Sequence, residues 1–181
     1  MIEIRIHGRG GQGAVIASKL LASAFFKEGK YVQSFPTYGV ERRGAPVAAF
    51  VRIDDKPVLI RSQIYEPDHI IVLDPTLIES VDVTKGLKKG SWILINTIRD
   101  PSEFNALKEF KIATVDASGI AVKYQLGSKS QPIVNTGILG AFAHLGFLLL
   151  DSIVEAIKEN VPLKAENNAK AAQEAYDKVK Y

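Results

Sequence analysis

Met1 to His7 alternates apolar and polar residues, with Ile2, Ile4 and Ile6 set against Glu3, Arg5 and His7, and runs straight into Gly8-Arg9-Gly10-Gly11-Gln12-Gly13. A period of two that ends in a glycine turn is a strand whose chain must reverse. Ala14 to Glu28 then reads as a helix, with Ile16, Leu20, Leu21, Ala24 and Phe25 on one face and Gly29 as the C-terminal stop. Strand, glycine turn and helix in that order commit the chain to an α/β fold, because the helix folds back over the strand and returns the chain for a parallel neighbour.

The rest of the chain repeats that theme after one interruption. Tyr31 to Phe35 reads as a second strand, and Val47 to Ile53 and Pro57 to Ile60 read as two strands turning at Asp54-Asp55, a hairpin. Ile70-Ile71-Val72-Leu73 and Trp92-Ile93-Leu94-Ile95 are continuous apolar runs of the kind found in parallel strands covered on both faces, with Ile112 to Val115 a shorter one. Each precedes a helix-starting group: Asp74-Pro75-Thr76, Asn96-Thr97 and Asp116-Ala117-Ser118. Gly137 to Leu150, Ser152 to Glu159 and the amphipathic Leu163 to Val179 read as helices. The expected architecture is an open, mainly parallel Rossmann-like α/β sheet with helices on both faces and a β-hairpin excursion, in a single domain over residues 1–181.

Composition removes several functions. The chain has no cysteine, which excludes disulfides, thiolate nucleophiles, cysteine-ligated zinc and an iron–sulfur cluster held by this chain alone. A formal charge of +3 with interspersed signs gives no stripe for a nucleic-acid backbone, so no nucleic-acid partner is expected. The densest cluster, Lys85, Lys88 and Lys89, reads as a solvated helix end. No leader or membrane span is visible, and the expected location is cytoplasmic. His7, His69 and His144 are too scattered to form a metal site.

Gly8, Gly10 and Gly13 satisfy G-x-G-x-x-G between strand and helix, where backbone N–H groups can hold an anion. A dinucleotide site also wants a carboxylate at the end of the second strand for the ribose, and Gln33-Ser34 stands there instead. His7 reads either as an anion or partner contact at the strand end or as an internally bonded histidine. Asp54-Asp55 reads as turn chemistry, Ser128 and Ser130 lack a nucleophile elbow, and Asn167-Asn168 reads as surface or capping polarity. Glu3, Arg5 and His7 on one face of a central strand call for internal pairing, an uncovered face or a partner. The segment Phe35 to Val47 holds Tyr38, Glu41, Arg42 and Arg43 among glycines and prolines, at the edge where His7, Asp74, Asn96, Thr97 and Asp116 also fall. Tyrosine and arginine are enriched at interface hot spots, and arginine forks suit phosphates and carboxylates.

Four passages then carry a resemblance: Ile4 to Ala14, Tyr38 to Val47, Ile60-Arg61-Ser62 with Pro67-Asp68, and Asn135-Thr136 with Leu139-Gly140-Ala141. Together they resemble the gamma subunits of thiamine-diphosphate-dependent 2-oxoacid:ferredoxin oxidoreductases, most closely the pyruvate type. Arg43-Gly44-Ala45-Pro46 is similar to the pyruvate and branched-chain members. The resemblance implies a complex that converts 2-oxoacid, coenzyme A and oxidised ferredoxin to acyl-CoA, carbon dioxide and reduced ferredoxin. It implies alpha, beta and delta partner subunits that hold thiamine diphosphate, magnesium and the iron–sulfur clusters, with no cofactor bound by this chain alone and no catalytic centre in it.

On that reading Gly8, Arg9, Gly10, Gly11, Gln12 and Gly13 contact phosphate, coenzyme A or a partner chain, while Tyr38, Glu41, Arg42 and Arg43 face the other subunits. Partner surfaces left open can also pair the isolated chain as a homodimer. A stand-alone NAD- or nucleotide-binding protein, or a small-anion module, is the alternative.

Overall fold

β1 (Ile2–Arg9) leads into α1 (Ala14–Lys27), then β2 (Tyr31–Pro36) and β3 (Pro46–Asp54). β4 (His69–Val72), α2 (Leu77–Ser80), β5 (Trp92–Asn96) and β6 (Lys111–Val115) follow, and α3 (Ala117–Lys123), α4 (Gly137–His144), α5 (Leu150–Asn160) and α6 (Ala165–Lys178) complete the chain. The computed structural model describes residues 1–37 and 42–181. One six-stranded sheet has the order β2-β3-β1-β4-β5-β6. β1, β4, β5 and β6 are parallel, whereas β3 lies between β1 and β2 and is antiparallel to both.

The continuous apolar runs of β4 and β5 are buried on both faces, as parallel strands require. On one face Ile4, Ile6, Val51 and Leu94 pack with Leu21 and Phe25 of α1, Ile138 and Phe142 of α4, and Ile153 of α5. On the other, Ile70, Val72, Ile93 and Ile95 meet Leu77, Val83 and Phe104. Each large side chain buried this way contributes about 1.5–3 kcal/mol. The longer helices all gather on the first face. Among the described residues the second face has only α2, short 3-10 turns and irregular chain. α4 and α6 cross so closely that a Cβ on Gly140 would collide with the Ala172 carbonyl oxygen.

The hairpin is not where the sequence pattern puts it. Residues 57–60 form no strand, and β3 pairs with β2 and β1 instead. Pro57 has no N–H to give a ladder, and Leu59 is 85% exposed, so that segment has neither the bonds nor the burial of a strand. The predicted helix from Gly137 to Leu150 breaks at Gly146, whose φ of 87° no α-helix accommodates. Asn96-Thr97 starts no α-helix; the chain turns there into a 3-10 segment at Pro101–Glu103 capped by Asp100. Ile16, assigned to the buried face of α1, is exposed, and Ala17, Leu20, Leu21, Ala24 and Phe25 do the packing. Lys85, Lys88 and Lys89 sit in turns, with Lys88 bonded to Asp68 and Lys89 to Glu109.

The charged face of β1 is resolved by internal pairing. Arg52 of β3, 2% exposed, donates to the Glu3 carboxylate at 2.6 Å and to the Gln33 side-chain oxygen at 2.9 Å. It also donates to the carbonyls of Ile60 and Gln63, and the Asp68 carboxylate accepts the Glu3 N–H. Residues 55–68 are thus a strap held across the sheet by a buried guanidinium. Further along β1, Arg5 donates to His7 Nε2 at 2.9 Å and to the carbonyls of Val83 and Lys85.

Candidate functional site

At the carboxyl ends of β1 and β4, where the chain order reverses, the sheet opens into a groove of about 980 Å³. This is the position at which open α/β sheets take their ligands. Its floor is the glycine turn. Arg42, Arg43 and Gly44 form one wall, and the loop from Gly127 to Asn135 forms the other.

The turn is bonded to the arginine loop by main chain. Gly10 N–H donates to Ala45 O at 2.8 Å and Gly44 N–H to Gly10 O at 3.0 Å. A Cβ on Gly10 would collide with the Arg42 carbonyl oxygen, so glycine is demanded here by the loop and not by a cofactor. Gly13, with φ of 81°, is the residue before α1 and has no side-chain cap, and a Cβ there would strike the Asn135 amide. No acidic residue occupies the first turn of α1, so its N–H groups and the positive end of its dipole face the groove unopposed.

Arg9 and Gln12 are engaged within the chain. The Arg9 guanidinium donates to Asp74 Oδ2 at 3.1 Å, to Thr76 Oγ1 at 2.7 Å and to Gly44 O at 3.2 Å. The Gln12 side chain accepts from Arg9 N–H at 2.7 Å and donates to Asp74 Oδ2 at 2.9 Å. Asp74 Oδ1 takes the Thr76 N–H and hydroxyl. Burial alone would raise the Asp74 pKa, but the bonds from Thr76 and Gln12 and the charge of Arg9 together outweigh it and hold the carboxyl below its usual value. The three side chains form a lock between the glycine turn and the end of β4.

Arg43 reaches across the groove to donate to the Gln131 side chain at 3.1 Å. Arg42 is exposed on the rim, and Tyr38 and Glu41 lie outside the described residues. Gly8 and Gly11 bracket the turn, Gly11 with φ of 96°. The opposite wall was not visible as a site in the sequence: Asn135 is 4% exposed and its Oδ1 has no hydrogen-bond partner among the described residues. The signal available for it was the Asn135-Thr136 pair, whose Thr136 hydroxyl donates to the buried Asn168 at 2.7 Å. Asn168 is therefore an interior tie and not surface polarity, while Asn167 donates to the Tyr124 carbonyl.

Of the other residues expected at this edge, Asn96 joins Leu73 O to the start of α3 through Ser118, and Asp116 caps α3 through Gly119 N–H. Thr97 accepts from Arg99 N–H. His7 does not reach the groove. It is buried beside Arg5, and burial, with the Arg5 charge adding to it, pulls its pKa down to about 3. It is a neutral acceptor inside the fold. Among the described residues no group of three or more histidines and carboxylates gathers for a metal, and no helix is long and apolar enough to cross a membrane.

The topology removes the dinucleotide reading. In a dinucleotide fold the second strand lies beside the first, bringing its terminal carboxylate to the ribose. Here β3 intervenes, so β2 ends two strand spacings away, about 10 Å from the glycine turn. Gln33 is spent on Arg52, and the Ser34 hydroxyl on Ser18.

Residues 3–178 match the pyruvate ferredoxin/flavodoxin oxidoreductase family. The chain belongs to that family. It is 58% identical over 183 aligned positions to the pyruvate/ketoisovalerate oxidoreductases common subunit gamma of Thermococcus kodakarensis, covering 98% of this chain and 97% of that protein. It is 52% identical to pyruvate synthase subunit PorC of Methanothermobacter marburgensis, over 100% of this chain and 99% of that one. The crystal structure of pyruvate oxidoreductase subunit PORC from Thermotoga maritima aligns with a TM-score of 0.81 at 36% identity, covering 99% of this chain and 97% of that chain. Within the pyruvate ferredoxin/flavodoxin oxidoreductase family, then, this mixed α/β sheet is an end-to-end subunit fold.

Proposed function

We propose that this chain is the gamma subunit of a multi-subunit 2-oxoacid:ferredoxin oxidoreductase of the pyruvate synthase type. That complex converts a 2-oxoacid, coenzyme A and oxidised ferredoxin to the acyl-CoA, carbon dioxide and reduced ferredoxin. Thiamine diphosphate, magnesium and the clusters reside on alpha, beta and delta partners, in the cytoplasm. This chain supplies no reacting group. It supplies the groove between the glycine turn and the Arg42–Arg43 loop, set toward the partner subunits where coenzyme A enters.

The observation that carries this reading is the wiring of the groove. Arg9, Gln12 and Asp74 lock the turn, and the loop is stitched to Gly10, so the site is a rigid platform with exposed guanidinium at its rim. Such a platform suits a docked chain or the phosphates of coenzyme A. Gly8, Gly10, Gly11 and Gly13 contribute backbone to it, and Tyr38 and Glu41 are further residues assigned to contact with the partners. Relatives bearing both pyruvate and ketoisovalerate in their names fit a subunit that leaves 2-oxoacid choice to other chains.

The test is replacement of Arg42 and Arg43 by alanine in the co-expressed complex. Each lost charge-assisted contact is worth about 1.5–3 kcal/mol, so the double variant should weaken assembly or raise the apparent KM for coenzyme A by at least tenfold. Wild-type assembly together with a wild-type KM would refute the role given to the loop.

A further inference from the structure

The antiparallel end of the sheet has an outer surface that the groove does not use. The principal helix contacts of β2 and β3 come from α1, on one face only. The opposite face presents Tyr31, Gln33 and Phe35 of β2, because alternate residues of a strand share a side and Gln33 is bonded to Arg52 there. The Arg52 guanidinium lies 5.2 Å from the centre of the Phe35 ring, and Phe35 packs on Phe50. The same guanidinium holds the carbonyl of Ile60, so strap and strand form one continuous surface.

That surface is apolar where it is most open. Tyr31 is 50% exposed, Leu59 85% and Ile60 45%. β2 is also an edge strand, whose outer side pairs with no other strand among the described residues. Apolar residues on a strap pinned by a buried arginine are presented without the ordering entropy that a loose loop would lose on docking. They are flanked by cations. Lys56 and Arg61 are exposed and form no ion pair among the described residues, whereas neighbouring Asp54 and Asp55 are taken by the Met1 ammonium and Lys30. Glu66 is exposed at the far end of the strap.

We propose that the strap and the outer face of β2 dock a partner polypeptide that offers an apolar recess bordered by carboxylates. Leu59 and Ile60 enter the recess, and Lys56 and Arg61 pair with its rim. This rests on the subunit reading above and adds a second contact surface to it, separate from the groove. A second copy of this chain is the poorer occupant: a two-fold contact sets the same patch against itself, bringing Arg61 and Lys56 toward their own equivalents.

The experiment is co-expression of the tagged chain with the other subunits of its oxidoreductase, as wild type, Leu59→Asp, Arg61→Glu, and Leu163→Asp, the last altering an exposed leucine elsewhere. Retained partner and the melting temperature of the tagged chain are measured. Leu59→Asp and Arg61→Glu should each lose at least tenfold of the retained partner with an unchanged melt, and Leu163→Asp should retain it. Partner recovery of Leu59→Asp and Arg61→Glu within twofold of wild type, or an equal loss in Leu163→Asp, would overturn the proposal while leaving the subunit role intact. So would a wild-type homodimer that Leu59→Asp dissociates. A wild-type chain that recovers no partner refutes the subunit role itself and this surface with it.

Discussion

Arg52→Ala should be among the most destabilising single changes to this chain. The guanidinium is 2% exposed and makes hydrogen bonds to Glu3, Gln33, Ile60 and Gln63. Its removal leaves the Glu3 carboxylate, 19% exposed, without its counter-charge. It also leaves two strap carbonyls without their donor. Breaking one side of a buried ion pair costs about 3–5 kcal/mol, most of it the penalty of the stranded partner. For a chain of this length each kcal/mol lowers Tm by about 2–4 °C, so the expected fall is about 10 °C. Thermal unfolding followed by circular dichroism measures it. A second variant separates the pair from the packing: Glu3→Leu with Arg52→Met removes both charges, and the loss should shrink to under about 2 kcal/mol because no ion is stranded. If Arg52→Ala costs less than about 1 kcal/mol, the strap is held by something other than this guanidinium. The account of how the helix-poor face is closed would then be wrong.

His7 gives the stability a pH dependence of known sign. Its native pKa is about 3 and its unfolded value about 6.5, so the unfolded chain binds the extra proton; stability is full above about pH 6.5 and falls by up to about 4–5 kcal/mol as pH drops toward 3. Denaturant titrations across that window should show the slope, and His7→Gln should flatten it; an unchanged slope refutes the assignment. Gly140→Ala, which would gain about 1 kcal/mol in an open helix, should instead lose about 1–3 kcal/mol as Ala172 is driven away from α4, and a raised Tm would refute the close crossing.

Much of the architecture was legible because it rests on local periodicity. Strictly alternating Ile2, Ile4 and Ile6, the apolar run Ile70 to Leu73 and the cap Asp116 each state their own element, and each is found where its pattern puts it. Pro57 to Ile60 misled because an apolar run marks a strand only if something pairs with it, and pairing is not a local property. His7 shows the same limit differently: the sequence allowed either an anion or partner contact or an internally bonded histidine, and the bonds of Arg5 to His7 and to the distant Val83 carbonyl decide for the internal one. The site divides along the same line. The glycine turn and the arginine loop could be seen; the Asp74 lock and the Asn135 wall could not, since each joins residues at least 62 apart in sequence.

The sequence by itself determined that the chain is α/β, that it carries no cysteine chemistry, and that a glycine turn and an arginine loop are its distinctive segments. Those follow from residue types and short spacings. Only the tertiary structure decided that β3 enters antiparallel between β1 and β2. That one insertion carries the end of β2 away from the turn, and with it any ribose contact. It also brings Ala45 and Gly44 beside Gly10, converting an open phosphate cradle into a stitched platform. The reason is physical: strand order is set by which apolar faces α1 and its neighbouring helices bury together, a sum over distant residues that no window along the chain contains.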